Sequence, residues 1–112
     1  MAIFDTSIVM DLASKGEKIT GDITVVTLIE YPKIVEYKKF HGDVIFPSIE
    51  DFFLAYELQR KLLKQGKPKG FADLLIAAIC INREEKLITK DDDFKDIAGV
   101  SELKIDLVSH IS

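Results

Sequence analysis

Short apolar runs rich in β-branched residues alternate along the chain with longer stretches of helical spacing, the pattern of a mostly parallel sheet covered by helices. Strands are expected at Ala2 to Phe4, Ile23 to Thr27, Val44 to Phe46, Leu87 to Thr89 and Leu103 to Leu107. In the last, Leu103, Ile105 and Leu107 alternate with Lys104 and Asp106, so one face meets water and the strand belongs at a sheet edge. The other four do not alternate and belong further inside. The segment "SIEDFFLAYELQRKLLKQG" opens on Ser48 with Asp51 three residues on, a capping-box-like start, and closes at Gly66, which predicts a helix between them. "FADLLIAAICINREEK" is apolar nearly all round from Leu74 to Ile81, which predicts a central helix buried on most sides and starting at or near Asp73.

Composition narrows the class. A chain of 112 residues with 47% hydrophobic content matches one ordinary domain with a real core, and no repeat or linker divides it; the lysine-rich "KQGKPKG" is a short loop. One domain over 1–112 is expected. Charged residues make up 30% and net charge is −4, so the chain is neither a disordered tail nor a uniformly basic nucleic-acid binder, and any nucleic-acid contact is local. Cys80, within "LLIAAICI", has no intrachain partner and reads as a small core hydrophobe; His41 and His110 are isolated and read as surface or loop residues, which argues against structural zinc. "MAIFDTS" lacks the features of a secretory signal, and no apolar run approaches the ~18 residues of a membrane span, so a cytoplasmic location is expected.

The element ends carry the chemical signal. "AIFDTS" leaves a strand at Asp5 and "LITKDDDF" leaves another at Asp91. In open parallel sheets, sites form beyond the carboxyl ends of strands. Glu30 follows a third strand in "TVVTLIEY", and Asp73 stands at the head of the buried helix. Each acid also has an ordinary reading: Asp5 and Asp91 as turn residues, Glu30 as a capping-box partner of Thr27, Asp73 as an N-cap or first-turn acid. Their joint placement favours a shared crevice. Two unit charges ~4 Å apart repel by on the order of 4 kcal/mol at an effective dielectric near 20, and either a raised pKa or a bound cation relieves the repulsion. An all-oxygen site suits Mg²⁺ or Mn²⁺, and phosphodiester hydrolysis is chemistry such ions support.

"FDTS", the early-helix glutamate in "TLIEY", "FADLLIAA" and "LITKDDDF", in that order from Ile3 to Phe94, resemble the PIN-domain nucleases, and among them the small VapC-type toxins of prokaryotic toxin–antitoxin pairs. The resemblance implies an α/β, PIN-like three-layer fold with an about five-stranded, mostly parallel sheet flanked by helices. It also implies a Mg²⁺- or Mn²⁺-dependent endoribonuclease whose catalytic quartet is Asp5, Glu30, Asp73 and Asp91, with Asp5, Asp73, Asp91 and Asp93 as metal ligands and Thr6, Ser7 and Thr89 as hydrogen-bonding support. Asp92 is then the exposed spectator of "KDDDF". Two features depart from the family pattern. Thr6 to Asp22 is short, so the usual helical excursion there is trimmed; Pro32 follows Glu30 by two residues, which a helix tolerates only in its first turn.

Arg60, Lys61, Lys64, Lys67 and Lys69 fall in an acid-free stretch from Leu58 to Ala72 that leads to Asp73. They are candidate RNA phosphate contacts, or else a solvated helix end in which cations complement the dipole. Ile49, Phe52, Phe53, Leu54, Tyr56, Leu58, Leu62 and Leu63, with Ile34, Val35, Tyr37 and Phe40 in the helix expected before them, exceed one core face, though core packing is the expected use of most. The surplus suits a homodimer or a groove for a partner's amphipathic segment, which by the resemblance is a cognate antitoxin. Two alternatives stay open: a non-catalytic PIN-like binding and assembly module, and another Mg²⁺-dependent phosphohydrolase, although "DTS" lacks the D-x-D signature of the aspartyl-nucleophile kind. No P-loop, dinucleotide fingerprint or nucleophile elbow is present.

Overall fold

In the computed structural model, which describes residues 2–108, each strand is only two or three residues long, and the first four hand the chain to a helix within a few residues. β1 (Ile3–Phe4) leads into α1 (Thr6–Ser14), and β2 (Ile23–Thr24) into α2 (Val25–Glu30) and a 3-10 turn (Pro32–Glu36). β3 (Val44–Ile45) precedes α3 (Ile49–Lys64) and α4 (Phe71–Asn82), and β4 (Leu87–Thr89) precedes α5 (Asp93–Gly99) and β5 (Ile105–Leu107). All strand pairs are parallel. β4 lies between β1 and β5, β2 pairs with β3, and a parallel bridge from Ile3 to Asp22 joins the two parts into the order β3-β2-β1-β4-β5. β5 is therefore an edge, as its alternation predicts.

Successive residues of a strand face opposite sides, and β1 shows the consequence. Ile3 packs into the larger core with Leu58 and Leu62 of α3, Leu74 to Cys80 of α4, and Phe94 and Ile97 of α5. Phe4 packs against the smaller core of Val9, Ile19, Ile23 and Ile34. Helices thus cover the sheet on both faces, the three-layer α/β arrangement. Every residue of α4 from Leu74 to Cys80 is buried, which explains an apolar pattern with no polar face. Burial pushes the Cys80 thiol up to about 12, so it behaves as a core hydrophobe.

Local chemistry sets the helix ends. Asp51 Oδ2 accepts the Ser48 N–H at 2.8 Å in a capping-box arrangement, and α3 closes through Gly66 at φ 71°, a left-handed conformation glycine adopts without strain. A side chain at Gly42 would lie 1.9 Å from the Gly21 carbonyl oxygen, so only glycine lets these two loops meet.

Five expectations change. β2 ends at Thr24, not Thr27, because the Thr24 hydroxyl accepts the Val26 N–H (3.2 Å) and caps α2. Glu30 is consequently the last residue of α2 and not an early one; Pro32 starts the 3-10 turn, and Tyr31 before it is driven out of helical geometry. The short segment after β1 still holds a nine-residue helix, α1. α4 begins at Phe71, placing Asp73 within its first turn, and β5 is confined to its last three predicted residues.

α3 also differs from expectation in which apolar residues it buries. Its core stripe is Asp51, Ala55, Leu58 and Leu62, whereas Ile49, Phe53, Tyr56 and Leu63 are mostly exposed on another face. Phe52 lies beside them and stacks on Phe71 with ring centroids 6.4 Å apart. Ile34 is buried and Val35 exposed within the 3-10 turn. His110 lies outside the described residues. Among the described residues, no helix is long and apolar enough to cross a membrane.

Candidate active site

Asp5 leaves the carboxyl end of β1 and caps α1. Its backbone N–H donates to Ile88 O of β4 (2.9 Å), so the sheet itself fixes where the side chain begins. Oδ1 accepts the Thr6 N–H at 2.8 Å; Oδ2 accepts the Thr89 hydroxyl at 2.8 Å and the Ser7 hydroxyl at 3.4 Å. Thr89, the last residue of β4, also accepts the Asp91 N–H at 3.0 Å. One buried hydroxyl therefore ties the acid after β1 to the backbone of the acid after β4. Asp91 Oδ1 in turn accepts the Asp93 N–H at 2.9 Å, which sets the start of α5.

Asp73 enters from the first turn of α4. It joins Asp91 and Asp93 in a group whose carboxylate oxygens lie within 4.8 Å of one another. Asp5 and Glu30 are not in that tight group. Both line the same cleft of about 550 Å³, with Thr6, Ser7, Met10, Asp73, Lys90 and Asp91. Glu30 is exposed at the end of α2, where its Oε1 accepts the Thr6 hydroxyl at 2.7 Å. The Thr6 and Thr27 hydroxyl oxygens are 2.8 Å apart. Since Thr6 gives its proton to Glu30, Thr27 donates to Thr6, and buried Thr27 anchors the outermost acid through one intermediary.

The electrostatics follow from burial first and from crowding second. Burial, reinforced by Asp91, Asp5, Asp93 and Glu30, pushes the Asp73 carboxyl up to about 6. Burial also raises Asp5, with Asp91 adding to the shift and the Thr89 hydroxyl and Thr6 N–H opposing it. A divalent cation would offset both the burial and the like-charge repulsion behind these shifts. The donor set fits one: the cleft presents carboxylate and hydroxyl oxygens with no imidazole or thiolate, the preference of hard ions such as Mg²⁺ and Mn²⁺.

The remaining candidates are placed unevenly. Asp92 is exposed and pairs with Lys95 at 3.5 Å, apart from the cluster. Arg60 lies over the Tyr56 ring and 3.5 Å from Glu57; Lys61 and Lys64 are exposed. Lys67 approaches Asp96 at 3.6 Å. Lys69 departs most from a free phosphate contact: its side chain is 10% exposed and reaches Asp96 at 2.7 Å and Asp93 at 3.5 Å. Sequence reasoning passed over Lys90, which lines the cleft and pairs with Asp11 of α1, and the part Thr27 plays. Lys90 sits inside the acidic motif itself, a local signal; Thr27 has meaning only once α2 is helical.

Comparison with known proteins bears on the family and the fold. The family model described as PIN domain matches residues 33–100, more than half of the chain. Among solved structures, a chain of a VapBC toxin–antitoxin complex from Mycobacterium tuberculosis superposes with a TM-score of 0.76 at 21% identity, covering 96% of this chain and 98% of that one. A chain of the DNA-bound VapBC complex from Salmonella typhimurium gives 0.76 at 17% identity, with 95% and 98% covered. One from FitAcB of Neisseria gonorrhoeae gives 0.75 at 15%, with 99% and 100% covered. At such identities the likeness speaks for the fold alone. No curated protein matches the chain.

Proposed function

The chain belongs to the PIN domain family, and on that premise we propose that residues 1–112 form a single-domain Mg²⁺- or Mn²⁺-dependent endoribonuclease that serves in the cytoplasm as the toxin of a type II toxin–antitoxin pair. The observation that carries the proposal is the convergence of Asp5, Glu30, Asp73 and Asp91, from four separate segments, on one cleft past the ends of β1 and β4. Asp73, Asp91 and Asp93, with Asp5 behind them, would hold the cation. When bound, it supplies Lewis acidity toward water and the scissile phosphate.

The chain's own residues do the positioning. Thr89 holds Asp5 and the Asp91 backbone in register, so the carboxylates meet their ligand already oriented. Glu30, exposed at the cleft and held by the Thr6 hydroxyl, would accept a proton from the attacking water. The Cys80 thiol lies in the core, away from any covalent role. Arg60, Lys61, Lys64 and Lys67 form a cationic approach for the RNA backbone, which makes binding fall with salt.

The apolar face of α3, where Ile49, Phe52, Phe53 and Tyr56 line a groove of about 580 Å³, is the surface for protein partners. In this reading they are a cognate antitoxin, of the kind present in the VapBC complexes, and a second copy of the chain.

The test is cleavage of a mixed structured RNA by purified protein with Mn²⁺, Mg²⁺ or EDTA, beside an Asp73→Asn variant prepared identically. Cleavage that needs metal and falls by at least ~10²-fold in the variant is expected, the scale set by losing a group used in the transition state. Equal cleavage by both proteins, or by neither, overturns the reading in favour of a non-catalytic binding module.

A further inference from the structure

A lysine directly beside a metal site is an apparent contradiction, since two cations then claim the same carboxylates. Lys69 is in that position by construction. It lies between α3 and α4, where the Gln59 side chain clamps its backbone: Nε2 donates to Lys69 O at 2.7 Å and Lys69 N–H donates to Oε1 at 3.0 Å. The root of the side chain is thereby fixed, and the side chain as a whole is only 10% exposed. A buried ammonium needs anionic partners. It takes Asp96 Oδ2 at 2.7 Å and, less closely, Asp93 Oδ1 at 3.5 Å. Asp96 lies outside the carboxylate group, whereas Asp93 is a member of it.

We infer that Lys69 is a positioning residue that competes with the cation for Asp93, making it a weaker ligand than Asp73 and Asp91 and setting the metal affinity of the cleft from outside it. The inference rests on the metal-site reading proposed above. Asp96 governs how far the effect goes, because it is the ammonium's nearer partner and shares the task of neutralising it. Removing the lysine releases Asp93 to the cation. Removing the Asp96 charge turns the ammonium wholly toward Asp93 and tightens its claim.

The two changes break the same ion pair and should move metal affinity in opposite directions, which a merely structural tie between the loop and α5 does not do. The experiment is Mn²⁺ titration of the whole chain, followed by the loss of the free-ion electron paramagnetic resonance signal, on wild type, Lys69→Met, Lys69→Arg and Asp96→Asn. Thermal unfolding of each is recorded alongside. The expected result is tighter binding by Lys69→Met and weaker binding by Asp96→Asn, each by up to roughly tenfold, the lower end of what groups behind the ligands do to metal affinity. Lys69→Arg should stay near wild type. Should Lys69→Met fail to fold, Asp96→Asn decides alone, since unchanged or tighter binding by that variant overturns the inference. So does a shift of both variants in one direction. Wild type that binds no Mn²⁺ overturns the metal-site reading itself and this inference with it, an outcome visible before any variant is compared.

Discussion

At the start of α3 Asp51 is 3% exposed, more deeply buried than Asp5 at 7%, yet the surroundings of the two acids have opposite character. Asp51 accepts the Ser48 N–H at 2.8 Å through one oxygen and the Asn82 side-chain amide at 2.7 Å through the other, so it joins the first turn of α3 to the last residue of α4. Asp5 is also well supplied with donors, but it faces a cleft that holds Asp73, Asp91 and Glu30 as well. Burial of a carboxylate is therefore no marker of chemistry. The marker is accumulation of like charge that hydrogen bonds alone leave uncompensated, because only that creates a demand for a cation.

Removing each kind of acid, or the groups that hold it, should expose the difference. The largest effect on folding is expected from Asp51→Ala, which orphans the Ser48 N–H and the Asn82 amide: about 2 to 3 kcal/mol lost in denaturant unfolding. Mn²⁺ affinity, measured on the protein still folded, should not change. Thr89→Val keeps the shape but deletes the hydroxyl between Asp5 and the Asp91 N–H. Metal binding by calorimetry should weaken roughly tenfold, about 1.4 kcal/mol, while nothing comparable happens at the Asp51 end.

The smallest effect is the most discriminating. Asp73 is raised, so the folded chain holds its proton more tightly than the unfolded chain does. The favourable contribution is complete below about pH 4 and is lost as pH rises through about 6, where the native carboxylate must ionise among its neighbours. In EDTA, Asp73→Asn should therefore become more stable than wild type as pH climbs through that window, by about 1 kcal/mol once solvent screening of a half-buried group is allowed for. Thermal unfolding at both ends of the window checks it. A gap that does not widen with pH means the cleft acids are no more strained than Asp51.

Local encoding explains which parts were readable. Asp5, Asp91 and the Ser48–Asp51 start of α3 depend on residues within a turn of each other, and the structure finds them at the predicted element ends. β2 and α2 were blurred for the opposite reason. Val25 and Val26 favour strand by propensity, but the Thr24 cap and the packing of Thr27 beneath Thr6 make the segment helical and carry Glu30 to the helix end. Lys69 was illegible for the same reason: Lys69 and Asp96 are 27 residues apart, and nothing in "KQGKPKG" tells that one of its cations turns inward.

The sequence by itself determined the order of the strands and of the two long helices α3 and α4, the apolar character of α4 and the identity of the acids at the strand ends, because periodicity, capping and turn chemistry act between near neighbours. Tertiary structure decided which of two apolar stripes on α3 meets the core, which acids crowd together and which are satisfied singly, and where Lys69 spends its charge. These depend on distances between segments that only packing brings together. Electrostatic energy at such distances changes within a few ångströms, a scale at which sequence separation carries no information.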